Sequence, residues 1–118
     1  MNQGNTQITV EDFYPHWLSA SEKGKASMLI DVRTPEEYAR GHVPSAKLLP
    51  LNTLPERAAE VERDRTVYLI CQGGMRSAQA MAYLANEYGH SNLINIDGGT
   101  MAWANAGYPI TQGEEDEG

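Results

Sequence analysis

Residues 66–89 read TVYLICQGGMRSAQAMAYLANEYG, an apolar run followed by a polar loop and a segment of helical spacing. The run at 67–70 is short and aliphatic, which is typical of a buried parallel strand. In the segment 77–88, apolar side chains recur at steps of three and four, namely Ala78, Met81, Ala82, Ala85 and Tyr88. Gly89 then provides a helix stop. The stretch therefore predicts a strand, a loop and an amphipathic helix in succession.

Strand and helix patterns alternate on both sides of this stretch. Short apolar runs indicate further strands at residues 7–10, 28–30, 46–49 and 93–96. Segments of helical pattern lie at residues 10–20, 35–38, 52–61 and 100–106, the second of which opens with proline. Such alternation predicts an α/β fold: a small doubly wound, mainly parallel five-stranded sheet with helices on both faces.

Length and charge restrict the domain count and the partners. The 118 residues suit one domain, which we place at 1–112, followed by an acidic tail at 113–118 that we expect to be disordered. The formal net charge of −7 disfavours nucleic acid as a partner, because phosphates attract clustered lysine and arginine. No apolar run approaches the roughly 18 residues of a membrane span, so we expect no membrane partner.

The cysteine content restricts the chemistry further. A lone cysteine cannot form an internal disulfide framework, and with three scattered histidines it gives no zinc spacing. We therefore expect neither a metal nor a cofactor. The first six residues are polar and lack the basic start and apolar core of a secretory signal, so we expect a cytoplasmic protein.

The thiol of Cys71 is placed at the carboxyl end of a predicted strand, where open α/β sheets carry their ligand sites. Gly73 and Gly74 permit backbone conformations closed to other residues, so that successive N–H groups can turn toward one point. Ser77 is a good N-cap for the next helix, whose positive end would face that point. Arg76 adds a permanent positive charge.

These features are expected to lower the pKa of Cys71 and to favour the nucleophilic thiolate. A second interpretation of Cys71 is a small buried hydrophobe that follows an apolar strand. The sequence lacks the spacings of nucleotide-binding loops, of thioredoxin-like redox sites and of α/β-hydrolase nucleophiles. A reactive cysteine is therefore the chemistry that the loop favours.

Two further segments match the sequence patterns of one known protein family. Residues 29–46 read LIDVRTPEEYARGHVPSA, similar to the family pattern D-x-R…E-[FY]…G-H-[IV]-P-x-A. Residues 98–109 read GGTMAWANAGYP, similar to the pattern G-G-x-x-x-W-x-x-x-G-Y-P. Together with the Cys71 loop these motifs span residues 29–109, and the chain resembles a single-domain rhodanese.

The resemblance implies a thiosulfate:cyanide sulfurtransferase-like activity through a sulfur relay. Cys71 would take the outer sulfur of a small anionic donor such as thiosulfate and pass it from a persulfide to an acceptor, either cyanide in vitro or a thiol or protein in the cell. The implied active-site loop, whose amides would stabilise the persulfide, comprises Gln72, Gly73, Gly74, Met75, Arg76 and Ser77. Arg76 would attract the donor, and we expect Asp31 and Arg33 to support the loops near Cys71.

Other functions stay open at this point. A rhodanese-like module without activity would use the same fold as a docking surface. Phosphatases and arsenate reductases are less favoured, because the related phosphatases resemble C-x-x-x-x-x-R, whereas Cys71 to Arg76 is one residue shorter. Gln72 stands where rhodaneses that favour thiosulfate often carry a basic residue, so the donor is left open. We expect a monomer or a weak dimer.

Overall fold

The structure, a computed structural model, describes residues 6–23 and 27–113. Its strands are β1 Thr6–Thr9, β2 Ser27–Asp31, β3 Lys47–Leu48, β4 Thr66–Ile70 and β5 Leu93–Asp97. Its α-helices are α1 Val10–Lys23, α2 Pro35–Arg40, α3 Leu54–Arg57, α4 Met75–Tyr88 and α5 Gly99–Asn105. Within this part of the chain no helix is long and apolar enough to cross a membrane.

The strands form one parallel sheet in the order β1-β5-β4-β2-β3. Alternate side chains of the central strand β4 go to opposite faces. Leu69 joins the apolar core under α3 and α4, whereas Tyr68 and Ile70 join the core under α1, α2 and α5. The predicted α/β fold, with a five-stranded sheet between two layers of helices, is confirmed.

The core under α5 is built around Trp103, which is fully buried. Its ring lies 5.8 Å from that of Phe13 in α1, and its Nε1 donates a hydrogen bond to the carbonyl of Pro109. Because a buried aromatic side chain of this size contributes about 3 kcal/mol or more to folding, Trp103 fixes α5 against the sheet. The packing of Trp103 therefore holds the start of α5 in place, and the start of α5 contacts the candidate active site described below.

Helix α4 starts earlier than predicted. Gly74 occupies the N-cap position in a left-handed conformation and makes no side-chain cap, so Ser77 is not the N-cap residue. Ser77 instead lies in the first turn of the helix and is buried. The prediction was wrong because a serine before an apolar helix was read as a cap, whereas this hydroxyl has another partner.

The buried face of α4 also differs from the predicted stripe. The buried side chains are Ser77, Ala80 and Leu84, while Ala82 and Tyr88 of the predicted stripe are exposed. The stripe rested mainly on alanines, which are small enough to be accommodated on either face of a helix. The bulky Leu84 determines the true orientation, because it buries far more apolar area than an alanine does.

Two shorter helical segments lie on either side of β3. The predicted helix at 52–61 is divided into the 3-10 turn Leu51–Thr53, helix α3 and the 3-10 turn Ala58–Glu60. Helix α2 begins with a capping box, in which Glu37 N–H donates to Thr34 Oγ1 and Thr34 N–H donates to a Glu37 carboxylate oxygen.

The predicted acidic tail spans residues 113–118, of which 114–118 lie outside the residues that the structure describes.

Candidate active site

The carboxyl ends of β2, β4 and β5 meet at one edge of the sheet, and Cys71 directly follows the central strand β4. The side chain of Cys71 is buried, with 1% of its surface exposed. Loops from the two neighbouring strands therefore flank the cysteine loop, which comprises residues 71–77. The predicted site residues Asp31 and Arg33 come from the β2 side, and Gly98 and Gly99 come from the β5 side.

Hydrogen-bond donors converge on the sulfur of Cys71. The N–H of Gly74 donates to Sγ at 3.0 Å, and the hydroxyl of Ser77 donates to Sγ at 3.3 Å. Burial raises the pKa of the Cys71 thiol, but the Ser77 hydroxyl and the N–H groups of Ser77, Gly74 and Gly73 outweigh it, so the net effect lowers the pKa. The positive end of helix α4 acts in the same direction. The site thus stabilises a thiolate, the nucleophilic form.

The two loop glycines have different roles. Gly74 has φ +109°, and a Cβ there would lie 3.2 Å from the backbone nitrogen of Gly98. Gly73 is not among the glycines of positive φ, and a Cβ there would meet nothing within 4 Å. Of the two glycines that permit conformations closed to other residues, only Gly74 therefore adopts one. One left-handed residue is enough to turn the chain into α4.

The start of α5 holds the carbonyl groups of the cysteine loop. Thr100 N–H and Thr100 Oγ1 donate to the Cys71 carbonyl at 2.8 Å and 3.0 Å, and Met101 N–H donates to the Gln72 carbonyl at 3.0 Å. Because α5 binds these carbonyl groups, the N–H groups of the cysteine loop can point toward the sulfur of Cys71. Gly99 makes the approach possible, since a Cβ there would lie 2.5 Å from the Cys71 carbonyl oxygen.

Sequence reasoning did not assign this role to Gly99 and Thr100. The signal was present in the Gly98-Gly99 pair, since adjacent glycines mark a close approach between backbones. A further contact that was missed comes from Asn95 of β5, whose Nδ2 donates to the Gly74 carbonyl at 3.3 Å. The cysteine loop is thus bound at several of its carbonyl groups from the β5 side.

On the other side, Arg33 connects the end of β2 to the cysteine loop. Its guanidinium pairs with Asp31, the closest contact being Nη2 to Oδ2 at 2.8 Å. Its Nη1 donates to Gln72 Oε1 at 3.1 Å, and Nη2 also donates to the Gly41 carbonyl at 2.8 Å. Asp31 and Arg33 therefore support the loop through the side chain of Gln72, whereas the sulfur of Cys71 takes its hydrogen bonds from Gly74 and Ser77.

The guanidinium of Arg76 is paired with the carboxylate of Glu37. Nη1 and Nη2 donate to Oε1 and Oε2 at 2.8 Å and 2.9 Å, a fork that involves both carboxylate oxygens. The hydrogen bonds from Arg76, opposed by burial and aided by Thr34, lower the pKa of Glu37 to about 2. Glu37 is therefore ionised at neutral pH. Sequence reasoning missed this pair because its partners are 39 residues apart.

A cleft of about 580 Å³ opens beside the loop. Its walls include side chains from the segment after β2, from α2, from the cysteine loop and from α5, among them Arg33, Glu37, Arg40, Gln72, Thr100 and Met101. Met75 lies at the start of α4 and is 82% exposed.

Within residues 6–23 and 27–113, no three His, Cys, Asp or Glu side chains are grouped so that they could hold a metal ion.

Comparisons with known proteins identify similar chains. The family model described as the rhodanese-like domain matches residues 14–106. A protein of Allochromatium vinosum named sulfurtransferase is 44% identical over 87 residues, which is 74% of this chain and 80% of that protein. A thiosulfate sulfurtransferase of Stutzerimonas stutzeri is 32% identical over 74% of this chain and 78% of its own length.

A solved structure has the same architecture. The crystal structure of a rhodanese-related protein from Thermoplasma volcanium has a TM-score of 0.74 and 32% sequence identity to this chain. The match covers 90% of this chain and 97% of that one. The similarity therefore extends over most of the chain.

Proposed function

Because the chain belongs to the family of rhodanese-like domains, we propose that it is a sulfurtransferase that carries a sulfane sulfur on Cys71. The observation that carries the proposal is the convergence of Gly74 N–H and Ser77 Oγ on the sulfur. These two hydrogen-bond donors stabilise the Cys71 thiolate, which attacks the sulfur-donating substrate. They also suit the anionic persulfide that the attack would leave in its place.

The proposed first step breaks a sulfur–sulfur bond in the donor. With thiosulfate, the Cys71 thiolate attacks the outer sulfur, a bond forms between the two sulfur atoms, and sulfite leaves with the electron pair of the broken bond. In the second step a nucleophilic acceptor attacks the terminal sulfur of the persulfide and restores the Cys71 thiolate. With cyanide the product is thiocyanate, and no oxidant or reductant is needed in either step.

The acceptor in the cell is proposed to be a thiol or a protein. Cys71 is the only cysteine of the chain, so no second thiol of the same molecule can discharge the persulfide. Reaction at a free thiolate also suits a compartment in which thiols stay reduced, and for this reason we propose a cytoplasmic protein.

The proposal is tested by measuring the intact mass of the protein after incubation with thiosulfate, and again after cyanide is added. We expect a gain of one sulfur that cyanide removes, and no gain in the Cys71→Ser variant. Ser45→Ala serves as a control, since it changes a residue outside the cysteine loop. If Cys71 gains no sulfur from thiosulfate or from an organic persulfide, the chain is a docking module that keeps the fold without the reaction.

A further inference from the structure

The pairing of Arg76 with Glu37 alters the electrostatics of the cysteine loop. Arg76 is the loop's cation in the sequence, but in the structure both of its terminal nitrogens are bound to one carboxylate. The pair is partly buried, with 35% of the Arg76 side chain and 21% of the Glu37 side chain exposed. Two opposite charges in this arrangement present little net field to an approaching anion.

Charged groups of both signs also lie elsewhere around the loop. Arg33 is paired with Asp31 at the end of β2. Arg40 lines the cleft, while Asp97 Oδ1 lies 3.6 Å from the position that a Cβ of Gly74 would take. The formal charges of these six groups, Arg33, Arg40 and Arg76 with Asp31, Glu37 and Asp97, cancel.

Charge balance matters because the nucleophile is itself an anion. Coulomb energy scales with the product of the charges, so a dianion is repelled by the Cys71 thiolate twice as strongly as a monoanion at the same distance. A positively charged pocket would compensate for this repulsion. The surroundings of Cys71 do not supply such a pocket, because the Glu37 carboxylate offsets Arg76.

We infer that Glu37 is a specificity-determining residue, which by neutralising Arg76 disfavours dianionic donors and selects sulfane sulfur donors of lower charge, with organic persulfides as the favoured class. The inference rests on the proposed function. With an organic persulfide R–S–S⁻, the Cys71 thiolate attacks the terminal sulfur, forms Cys71–S–S⁻ and releases R–S⁻. Two negative charges are carried through this step, against three when thiosulfate is the donor.

The test compares two donors that differ mainly in charge. Thiosulfate is a dianion, whereas in methanethiosulfonate a methyl group replaces one charged oxygen, which leaves a monoanion of similar size and the same reactive sulfur. The rate of sulfur loading on Cys71 is measured as kcat/KM with each donor. The ratio of the two values reports how the site responds to donor charge.

The informative variant is Glu37→Gln. Glutamine serves the capping box as well as glutamate does, and its amide oxygen can still accept a hydrogen bond from Arg76. The variant therefore removes a charge and preserves the geometry. Glu36→Gln is the matched control, since Glu36 is an exposed neighbour in the same helix and its replacement changes the net charge equally.

We expect Glu37→Gln to raise kcat/KM by about tenfold for thiosulfate and by about threefold for methanethiosulfonate, because the effect on a dianion is the square of that on a monoanion. Glu36→Gln should leave the donor ratio unchanged. If the ratio of the two kcat/KM values is the same in wild type and Glu37→Gln, the inference is overturned and the proposed function stands. The same conclusion follows if Glu36→Gln changes this ratio as much as Glu37→Gln does. Failure of Cys71 to load from either donor in every variant overturns both.

Discussion

The hydroxyl of Ser77 lies 3.3 Å from the sulfur of Cys71 and donates a hydrogen bond to it. Ser77 is buried in the first turn of α4. A hydrogen bond to a charged sulfur is stronger than one to a neutral thiol, so this contact favours the thiolate. The N–H of Gly74 completes the arrangement on the backbone side at 3.0 Å. The helix buries a polar side chain at this position because the sulfur provides its partner.

Replacing Ser77 by alanine is expected to raise the pKa of Cys71, since burial would then be opposed by the backbone N–H groups alone. The ultraviolet absorbance of the thiolate, titrated against pH, measures this shift. The pH profile of sulfur loading should move to higher pH by the same amount. Because Cys71 is the only cysteine, Cys71→Ser gives the background absorbance. An unchanged profile would remove Ser77 from the stabilisation of the thiolate.

The two loop glycines are expected to respond differently to alanine. Gly74→Ala places a side chain at φ +109° and brings Cβ to 3.2 Å from a backbone nitrogen, so we expect a loss of about 1–3 kcal/mol in the free energy of unfolding. Gly73→Ala adds a methyl group that contacts nothing within 4 Å and should change stability by less than about 0.5 kcal/mol. Urea unfolding of the two variants measures the difference, and equal losses would contradict it.

A second glycine pair separates backbone strain from a steric clash. Gly99 and Gly89 both have positive φ, but a Cβ at Gly89 meets nothing within 4 Å, whereas a Cβ at Gly99 would lie 2.5 Å from the Cys71 carbonyl oxygen. Gly89→Ala should cost about 1 kcal/mol and leave sulfur loading intact. Gly99→Ala should cost more and slow loading, because the loop carbonyls must move. Thermal unfolding and loading rates of both variants check this, and normal loading by Gly99→Ala would count against the role of α5.

What could be predicted from the sequence was local. The strand that ends at Ile70, the loop that begins at Cys71 and the glycine stop at Gly89 all follow from patterns a few residues long. The parallel sheet could be predicted from the alternation of strand and helix patterns, because a crossover connection, usually a helix, must join two parallel strands. The placement of Cys71 at the edge of the sheet could therefore be predicted from these patterns alone.

The contacts that define the electrostatics of the site could not be predicted in this way. Arg76 and Glu37 are 39 residues apart, and Thr100 and Cys71 are 29 residues apart. Short-range patterns carry no information about how two distant elements are rotated against each other. The same limit explains the error in the buried face of α4, where Leu84 and the sheet decide the orientation and the alanines do not.

The buried pair of Arg33 and Asp31 is expected to be important for stability. Arg33→Ala would leave the fully buried Asp31 carboxylate without its ion-pair partner, so we expect a loss of about 3–5 kcal/mol. Arg57→Ala is the matched control, because its ion pair with Glu60 is 37% and 36% exposed and contributes less than about 1 kcal/mol. Urea unfolding of both variants measures the contrast. A loss in Arg33→Ala as small as that in Arg57→Ala would show that the buried pair is dispensable.

The pairing of Arg76 with Glu37 predicts a particular pH dependence of stability. Arg76 lowers the pKa of Glu37 from 4.5 to about 2, so the stabilising contribution is complete above pH 4.5 and is lost as the pH falls toward 2. Arg76→Ala removes the main cause of the lowered pKa. The variant should therefore be less stable than wild type above pH 4.5, by about 1 kcal/mol or less because the pair is partly exposed.

The difference between the two proteins should shrink as the pH falls toward 2 and disappear below it, because below its lowered pKa of about 2 Glu37 is protonated in both and no longer pairs with the arginine. Urea unfolding at a series of pH values across this range measures the difference directly. Arg76→Lys refines the result, since a lysine keeps the charge and cannot form the two-pronged contact. A gap between wild type and Arg76→Ala that stays constant with pH would mean that Arg76 stabilises the fold through packing and that its charge is not engaged by Glu37.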